Sequence, residues 1–157
     1  RQVVIDSRRG WANTYYVFWM HNISPIAKGD ITMKSLYEQL GGAEGMETAV
    51  ELFYRRMLTD AQVAHFFDGV DMDRQMAKQT AFLTMVTGGP SHYTGRDMQA
   101  AHAHLLAQGL NDRHVDIVIA HLGETLRELG ASSEQVQAVA ALANSVRDAV
   151  LGRMPRA

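Results

Sequence analysis

The sequence predicts an all-α protein, and three observations support this. From Met33 onward, apolar residues recur three and four positions apart, which is the period of a helix face packed on a core. Glycines, singly or in pairs, separate these segments. The 157 residues include only 3 prolines, and no segment after Met33 alternates apolar and polar residues as a half-buried strand would.

The bulk properties of the chain exclude several functions. A net charge of −2, without a basic face, argues against binding of nucleic acid. With 0 cysteines the chain can hold no disulfide, thiolate metal site or iron–sulfur cluster. This composition fits a reducing cytoplasm, where we expect the protein to be. No apolar run approaches the ~20 residues that a membrane span requires.

The first part of the chain differs in composition from the rest. Both tryptophans lie within residues 1–32, and residues 14–20 (TYYVFWM) are aromatic and β-branched. A secretory signal would fit poorly, because the apolar part is at the lower limit of the usual range of about 7–15 residues and no A-x-A cleavage site follows. We therefore expect a leader, tag or packing extension over 1–32 and one helical domain over 33–157.

The first half of this domain contains three predicted helices joined by short turns. Ser35 opens a short helix with capping-box spacing to Glu38. The second helix is predicted from Gly45 to Leu58, and a turn of helix ends in Phe66-Phe67. A third is capped by Asp71 and runs from Met72 to Val86. The predicted buried stripe of the second helix is Met46, Ala49, Val50, Phe53, Tyr54 and Met57.

The second half contains three more predicted helices. Their caps and apolar stripes predict a helix from Asp97 to about Gly109, one capped by Asn111 or Asp112 that reaches about Leu129, and a last one that starts at Ser132 or Ser133 and continues to Leu151.

Four polar side chains interrupt apolar helix faces. His102 shares its face with apolar residues (Met98, Ala101, Leu105 and Leu106), so it is either a locally bonded core residue or a ligand to something in a cavity. Tyr54 lies on an apolar stripe, and a buried phenol normally has a hydrogen-bond partner. Gln75 and Gln79 lie one turn apart on the third helix. Since a buried amide without partners costs about 1–3 kcal/mol, this face either meets a polar partner or is exposed.

These residues do not form a hydrolytic or zinc site. The sequence has no Ser-His-Asp order and no H-E-x-x-H, and His102 and His104 have the wrong helical spacing for a shared zinc ion. An imidazole on one side and neutral donors on the other are what a haem requires. His114 is a second ligand candidate, although its position near a helix start favours local capping. The other histidines are expected to be solvated: His21, His65, His92, His104 and His121.

At these residues the chain resembles the group I truncated haemoglobins, shortened globins with a two-on-two helical sandwich around haem. The matching motifs occur in order between about Lys34 and Gly152: LYEQLGG (36–42), FYRRML (53–58), FFDGVDM (66–72), KQTAFLT (78–84), GGP (88–90), YTGRDM (93–98), the pair Ala101-His102, and DRHVD (112–116). Each motif is modest, but their collinear order makes the resemblance specific.

The resemblance implies a role for each site residue. His102 would be the proximal iron ligand, Phe67 would pack against the macrocycle, and Tyr54, Gln75 and Gln79 would form the distal hydrogen-bonding network. Other contacts to the cofactor would come from Phe53, Lys78, Phe82, Leu83, Tyr93, Met98, Val115 and Ile119. Some relatives bond haem covalently through a histidine in the last helix. Residues 143–147 (ANSVR) lack one, so the resemblance implies non-covalent haem b.

The implied function is binding of O2, NO or CO, with conversion of NO to nitrate as the chemistry that slow O2 release would suit. Nitrite or peroxide chemistry is an alternative at the same iron, and turnover would need an unidentified reductase. A second hypothesis is a six-coordinate haem protein, with Lys78 or Gln75 on the iron, that acts in electron transfer or in redox or gas sensing. A third is a haem-free helical interaction module.

Overall fold

The computed structural model describes residues 34–90 and 98–153, and all regular structure among them is helical. The predictions for residues 1–32 and for Tyr93, His21, His92 and Asp97 concern residues outside these ranges. The α-helices are α1 (Leu36–Gln39), α2 (Gly42–Thr59), α3 (Met72–Val86), α4 (Met98–Leu106), α5 (Asp112–Glu128), α6 (Ser133–Ser145) and α7 (Arg147–Val150), with a 3₁₀ turn, η1 (Ala64–Phe67), between α2 and α3.

Two pairs of helices form the body of the fold. α2 packs against α3, α5 packs against α6, and contact between α2 and α5 joins the pairs. All six residues of the predicted α2 stripe are buried, which confirms the helical period read from the sequence. The core between the pairs includes Met46, Leu83 and Leu126, each at most 1% exposed. The arrangement confirms the predicted two-on-two sandwich.

Side-chain caps set several helix starts where the sequence predicted them. The Asp71 carboxylate accepts a hydrogen bond from the Arg74 backbone N–H at 3.2 Å. Asn111 caps α5, and its own N–H donates to Nδ1 of His114 at 3.1 Å. His114 therefore serves as a local cap, as the sequence favoured. Ser35 likewise accepts from the backbone of Glu38.

α2 begins three residues earlier than predicted because of a close approach to α1. A Cβ on Gly45 would lie 1.8 Å from the backbone oxygen of Leu40. The absence of a side chain at Gly45 thus lets α1 turn directly into α2, with Gly41 as the cap at a φ of 102°.

The last predicted helix is two helices in the structure, so its continuation to Leu151 was wrong. α6 ends at Ser145, where the hydroxyl donates to the Leu142 carbonyl at 2.5 Å. Val146 then joins α6 to α7 as a non-helical residue. Arg147, the first residue of α7, bonds to the start of α5, as described below.

Among the described residues, no helix is long and apolar enough to cross a membrane.

Candidate functional site

Three aromatic side chains meet where α2, η1 and the core come together. Phe53 and Tyr54 are neighbours on α2, and each is 3% exposed. Their ring centroids are 5.1 Å apart, and Tyr54 lies 5.5 Å from Phe67 of η1, both pairs in edge-to-face geometry. Because rings on two sides fix Tyr54, its hydroxyl has a defined position.

The hydroxyl of Tyr54 is linked to α3 by one hydrogen bond. Gln75 donates from Nε2 to the Tyr54 hydroxyl oxygen at 3.0 Å. The oxygen is the acceptor in this bond, so the phenolic proton stays available for a second acceptor. Burial raises the pKa of Tyr54 to about 12, although the Gln75 bond opposes the rise. The phenol is therefore a neutral donor at physiological pH.

The remaining predicted residues of α3 lie along the same helix. Leu83 is buried, and Phe82 and Gln79 are half-buried. Within the described part of the chain, the Gln79 amide makes no hydrogen bond, so only one of the two predicted glutamines is joined to Tyr54 here. Lys78 is exposed on the flank of α3.

α4 presents His102 as a half-buried, neutral imidazole. Its Nδ1 lies 2.8 Å from the carbonyl oxygen of Met98, one turn earlier. A carbonyl only accepts, so Nδ1 carries the proton and Nε2 keeps a free lone pair. Burial lowers the pKa of His102, against the opposing effect of the Met98 bond, and His104 lowers it further. Met98 is half-buried, whereas Ala101 and Leu106 of the predicted stripe are exposed.

α5 contributes the last predicted wall residues. Val115 is buried at 9% exposure, and Ile119 is half-buried. Both lie on the same side of α5 as the core residue Leu122.

The structure thus brings Tyr54 into direct contact with Phe53, Phe67 and Gln75. Among the described residues, no hydrogen bond or ring contact joins His102 to this group. The donor set fits a haem: a neutral imidazole whose Nε2 lone pair is free can ligate iron, and a buried neutral phenol can face the opposite side. Both imidazole nitrogens are accounted for by this assignment, since Nδ1 is held by the Met98 carbonyl.

Comparison with known proteins identifies the family and the fold. A family profile described as "Bacterial-like globin" matches residues 35–152. The chain belongs to this globin family. It is 42% identical over 120 residues to the group 1 truncated hemoglobin of Tetrahymena pyriformis, and this alignment covers 76% of this chain and 97% of that protein. It is 45% identical over 114 residues to the one of Synechocystis sp., with 72% and 92% covered. The chain is therefore a group 1 truncated haemoglobin, and its cofactor is haem.

Solved structures show the same fold. The T. pyriformis protein in its Fe(III) form superposes with a TM-score of 0.67 at 42% identity, covering 75% of this chain and 98% of that one. The 2/2 hemoglobin from Synechococcus sp., in the cyanomet state and with covalently attached heme, gives 0.70 at 41% identity, covering 76% and 100%. The T. pyriformis structures include variants in which one tyrosine is phenylalanine or either of two glutamines is glutamate.

One polar pair was not predicted. Nε2 of His121, on α5, lies 2.7 Å from a carboxylate oxygen of Asp60, which caps the end of α2. The two side chains are 18% and 19% exposed, so the expectation that His121 is solvated was wrong. The partners are far apart in sequence, and no local pattern indicates such a pair. His104 and His65 are exposed, as expected.

Proposed function

We propose that this truncated haemoglobin binds O2 at an iron held by His102 and converts NO to nitrate. Tyr54 carries this proposal, because it is a buried, neutral hydroxyl that accepts from Gln75 and keeps its own proton to donate. Ferrous haem supplies an iron that binds O2, NO and CO, and that is left ferric when O2 and NO combine to give nitrate. An electron donor, by inference a reductase, must return it to the ferrous state.

His102 is suited to the proximal role by its tautomer. The Met98 carbonyl holds the proton on Nδ1, so the lone pair of Nε2 is available without a prior proton loss. The lowered pKa of His102 keeps the imidazole neutral at physiological pH, which favours ligation of a metal. Phe67, in contact with Tyr54, would pack against the cofactor on the side away from His102.

On the distal side, Tyr54 would donate to the ligand, and Gln75 would orient the hydroxyl through its own bond. Gln79 is the second amide we assign to this network, from the half-buried face of α3. The spacing of Tyr54, Gln75 and Gln79 equals that of the tyrosine and two glutamines replaced in the T. pyriformis structures, which supports the assignment. These donors would slow O2 release, which suits chemistry on O2 better than its delivery.

The haem would be haem b, held non-covalently. Residues 143–147 contain no histidine that could attach to a vinyl group, whereas the Synechococcus structure is described with covalently attached heme. Extraction with acidic organic solvent should therefore remove the haem completely. A cytoplasmic location is our expectation from the cysteine-free sequence.

The six-coordinate hypothesis requires Lys78 or Gln75 on the iron. Gln75 is already engaged by Tyr54, and Lys78 is exposed, which favours an open sixth position. An absorption spectrum of the ferrous protein tests this directly. A five-coordinate spectrum that is unchanged in Lys78→Ala would support our proposal. A six-coordinate spectrum that becomes five-coordinate in Lys78→Ala would favour electron transfer or sensing.

The decisive experiment is stopped-flow mixing of the oxygenated protein with NO. We expect NO to oxidise the haem iron completely to the ferric state and to yield one nitrate for each haem oxidised. Oxidation without nitrate would refute the NO dioxygenase proposal while leaving O2 binding intact.

A further inference from the structure

α4, the helix that carries His102, is weakly anchored in the body of the fold. None of its nine residues is buried, although Leu105 packs against the edge of the core. Among the described elements, its principal packing partner is the short helix α7. The contact continues past the end of α7, where a Cβ on Gly152 would lie 3.0 Å from a methyl carbon of Leu106. The position of α4 therefore depends on what holds α7.

Arg147, the first residue of α7, ties that helix to the start of α5. Its Nη1 donates to both the backbone carbonyl and a carboxylate oxygen of Asp112, each at 3.1 Å. Its Nη2 donates to the carboxylate of Asp116, and its Nε donates to the side chain of Asn144 at 2.9 Å. One guanidinium thus joins three segments of the chain.

This arrangement differs from an ordinary surface ion pair, which contributes little because water competes for both partners. The Arg147 side chain is only 18% exposed, and one of its bonds goes to a backbone carbonyl that cannot move independently of α5. The bonds to Asp116 and Asp112 raise the pKa of Arg147, so the charge is permanent. Arg153, just after α7, pairs with Asp112 and Asp148 and strengthens the same junction.

We propose that Arg147 is a positioning residue for His102: by fixing α7 against α5, it sets the orientation of α4 and hence of the proximal imidazole. This inference rests on the proposed role of His102 as iron ligand.

The test is Arg147→Met, which keeps an unbranched stem of similar length but removes the charge and every hydrogen-bond donor of the guanidinium. In the haem-loaded ferrous protein, we expect resonance Raman spectra to show a shifted or broadened iron–imidazole stretching band. Transfer of haem to an excess of an apo-globin acceptor should be roughly tenfold faster, the factor that about 1.4 kcal/mol produces. Arg147→Lys keeps the charge but loses the planar donor set, so its haem-transfer rate should lie between those of the wild-type protein and Arg147→Met.

Arg56→Met is the matched control. Arg56 also bridges two helices, through Glu124, Glu128 and the hydroxyl of Thr125, and is 28% exposed, but it joins α2 to α5 far from α4 along the chain. We expect it to lower overall stability without moving the iron–imidazole band. Equal effects from Arg56→Met and Arg147→Met would reduce Arg147 to a general stabiliser and overturn the proposal.

A second variant guards against failure of Arg147→Met to fold. Asp116→Asn removes the negative charge at a 66% exposed side chain but leaves an amide oxygen that can accept from Arg147, so it should shift the band in the same direction by a smaller amount. If the wild-type protein shows an iron–imidazole band and neither variant alters it, the positioning role is refuted while His102 ligation stands. If the ferrous wild-type protein, or Lys78→Ala where the wild type is six-coordinate, has a five-coordinate absorption spectrum and still shows no such band, His102 is not the ligand and both proposals fail together.

Discussion

Replacement of Tyr54 by phenylalanine should accelerate O2 release by roughly tenfold to 150-fold. The ring contacts with Phe53 and Phe67, at 5.1 and 5.5 Å, do not depend on the hydroxyl and should persist. The change removes one donor to a ligand with partial negative charge, worth about 1.5–3 kcal/mol. At about 1.4 kcal/mol per factor of ten, this range gives the predicted acceleration.

The assay is O2 displacement by excess CO in a stopped-flow instrument, with the rate of release read from the absorbance change. Because burial raises the pKa of Tyr54 to about 12, the wild-type rate should be constant between about pH 6 and about pH 9. Tyr37→Phe is the control, since Tyr37 is a half-buried tyrosine on α1 outside the aromatic group, and it should leave the rate unchanged. An unchanged rate in Tyr54→Phe would remove Tyr54 from the mechanism.

Three further predictions concern the proximal ligand and the fold. His102→Ala should abolish stable haem retention, measured by the Soret absorbance after gel filtration, and unaltered retention would exclude His102 as the ligand. Hydrogen bonds from the Gln62 backbone and from His121 lower the pKa of Asp60 in the folded protein. The ionised carboxylate therefore stabilises the fold above the pKa of an unfolded aspartate, about 3.9, and this stabilisation is lost as the pH falls through the lower pKa of the folded protein. Asp60→Asn should therefore show a shallower loss of unfolding free energy below about pH 4, in urea denaturation at each pH, and an identical slope would count against the pair. Gly45→Ala should destabilise the protein by about 2 kcal/mol or more in the same assay, because its Cβ would meet the Leu40 oxygen, whereas helix propensity alone predicts stabilisation by about 1 kcal/mol.

The helices could be predicted because their signals are local. The stripe of α2 has the period of one helix face, and the structure buries every member of it. Asp71 caps α3 from the adjacent position, and the bounds of α3 agree with the prediction. Caps and stripes depend only on neighbours within about one turn, so a single sequence contains them.

The features that were missed depend on distant partners. The break between α6 and α7 coincides with the bonds of Arg147 to α5, which an apolar stripe running through to Leu151 does not reveal. The pair of Asp60 and His121 forms only when α2 meets α5, so His121 looked like a solvated residue of a helix surface.

The candidate site was predictable in part from local patterns and in part not. An inward-facing phenol on α2 and an amide on α3 indicated a polar contact between the helices, and Tyr54 and Gln75 make it. Gln75 and Gln79 lie on the same face of α3, so the sequence pattern could not distinguish them. Among the described residues, only Gln75 bonds Tyr54.

The central claim is that His102 ligates the haem iron while Tyr54 faces the ligand on the other side. A crystal structure of the haem-loaded protein with a diatomic ligand bound tests it most directly. The account predicts iron bonded to Nε2 of His102, with Nδ1 still held by the Met98 carbonyl, and the Tyr54 hydroxyl within hydrogen-bond distance of the ligand. An imidazole turned away from the iron, or a Tyr54 hydroxyl directed elsewhere, would contradict it.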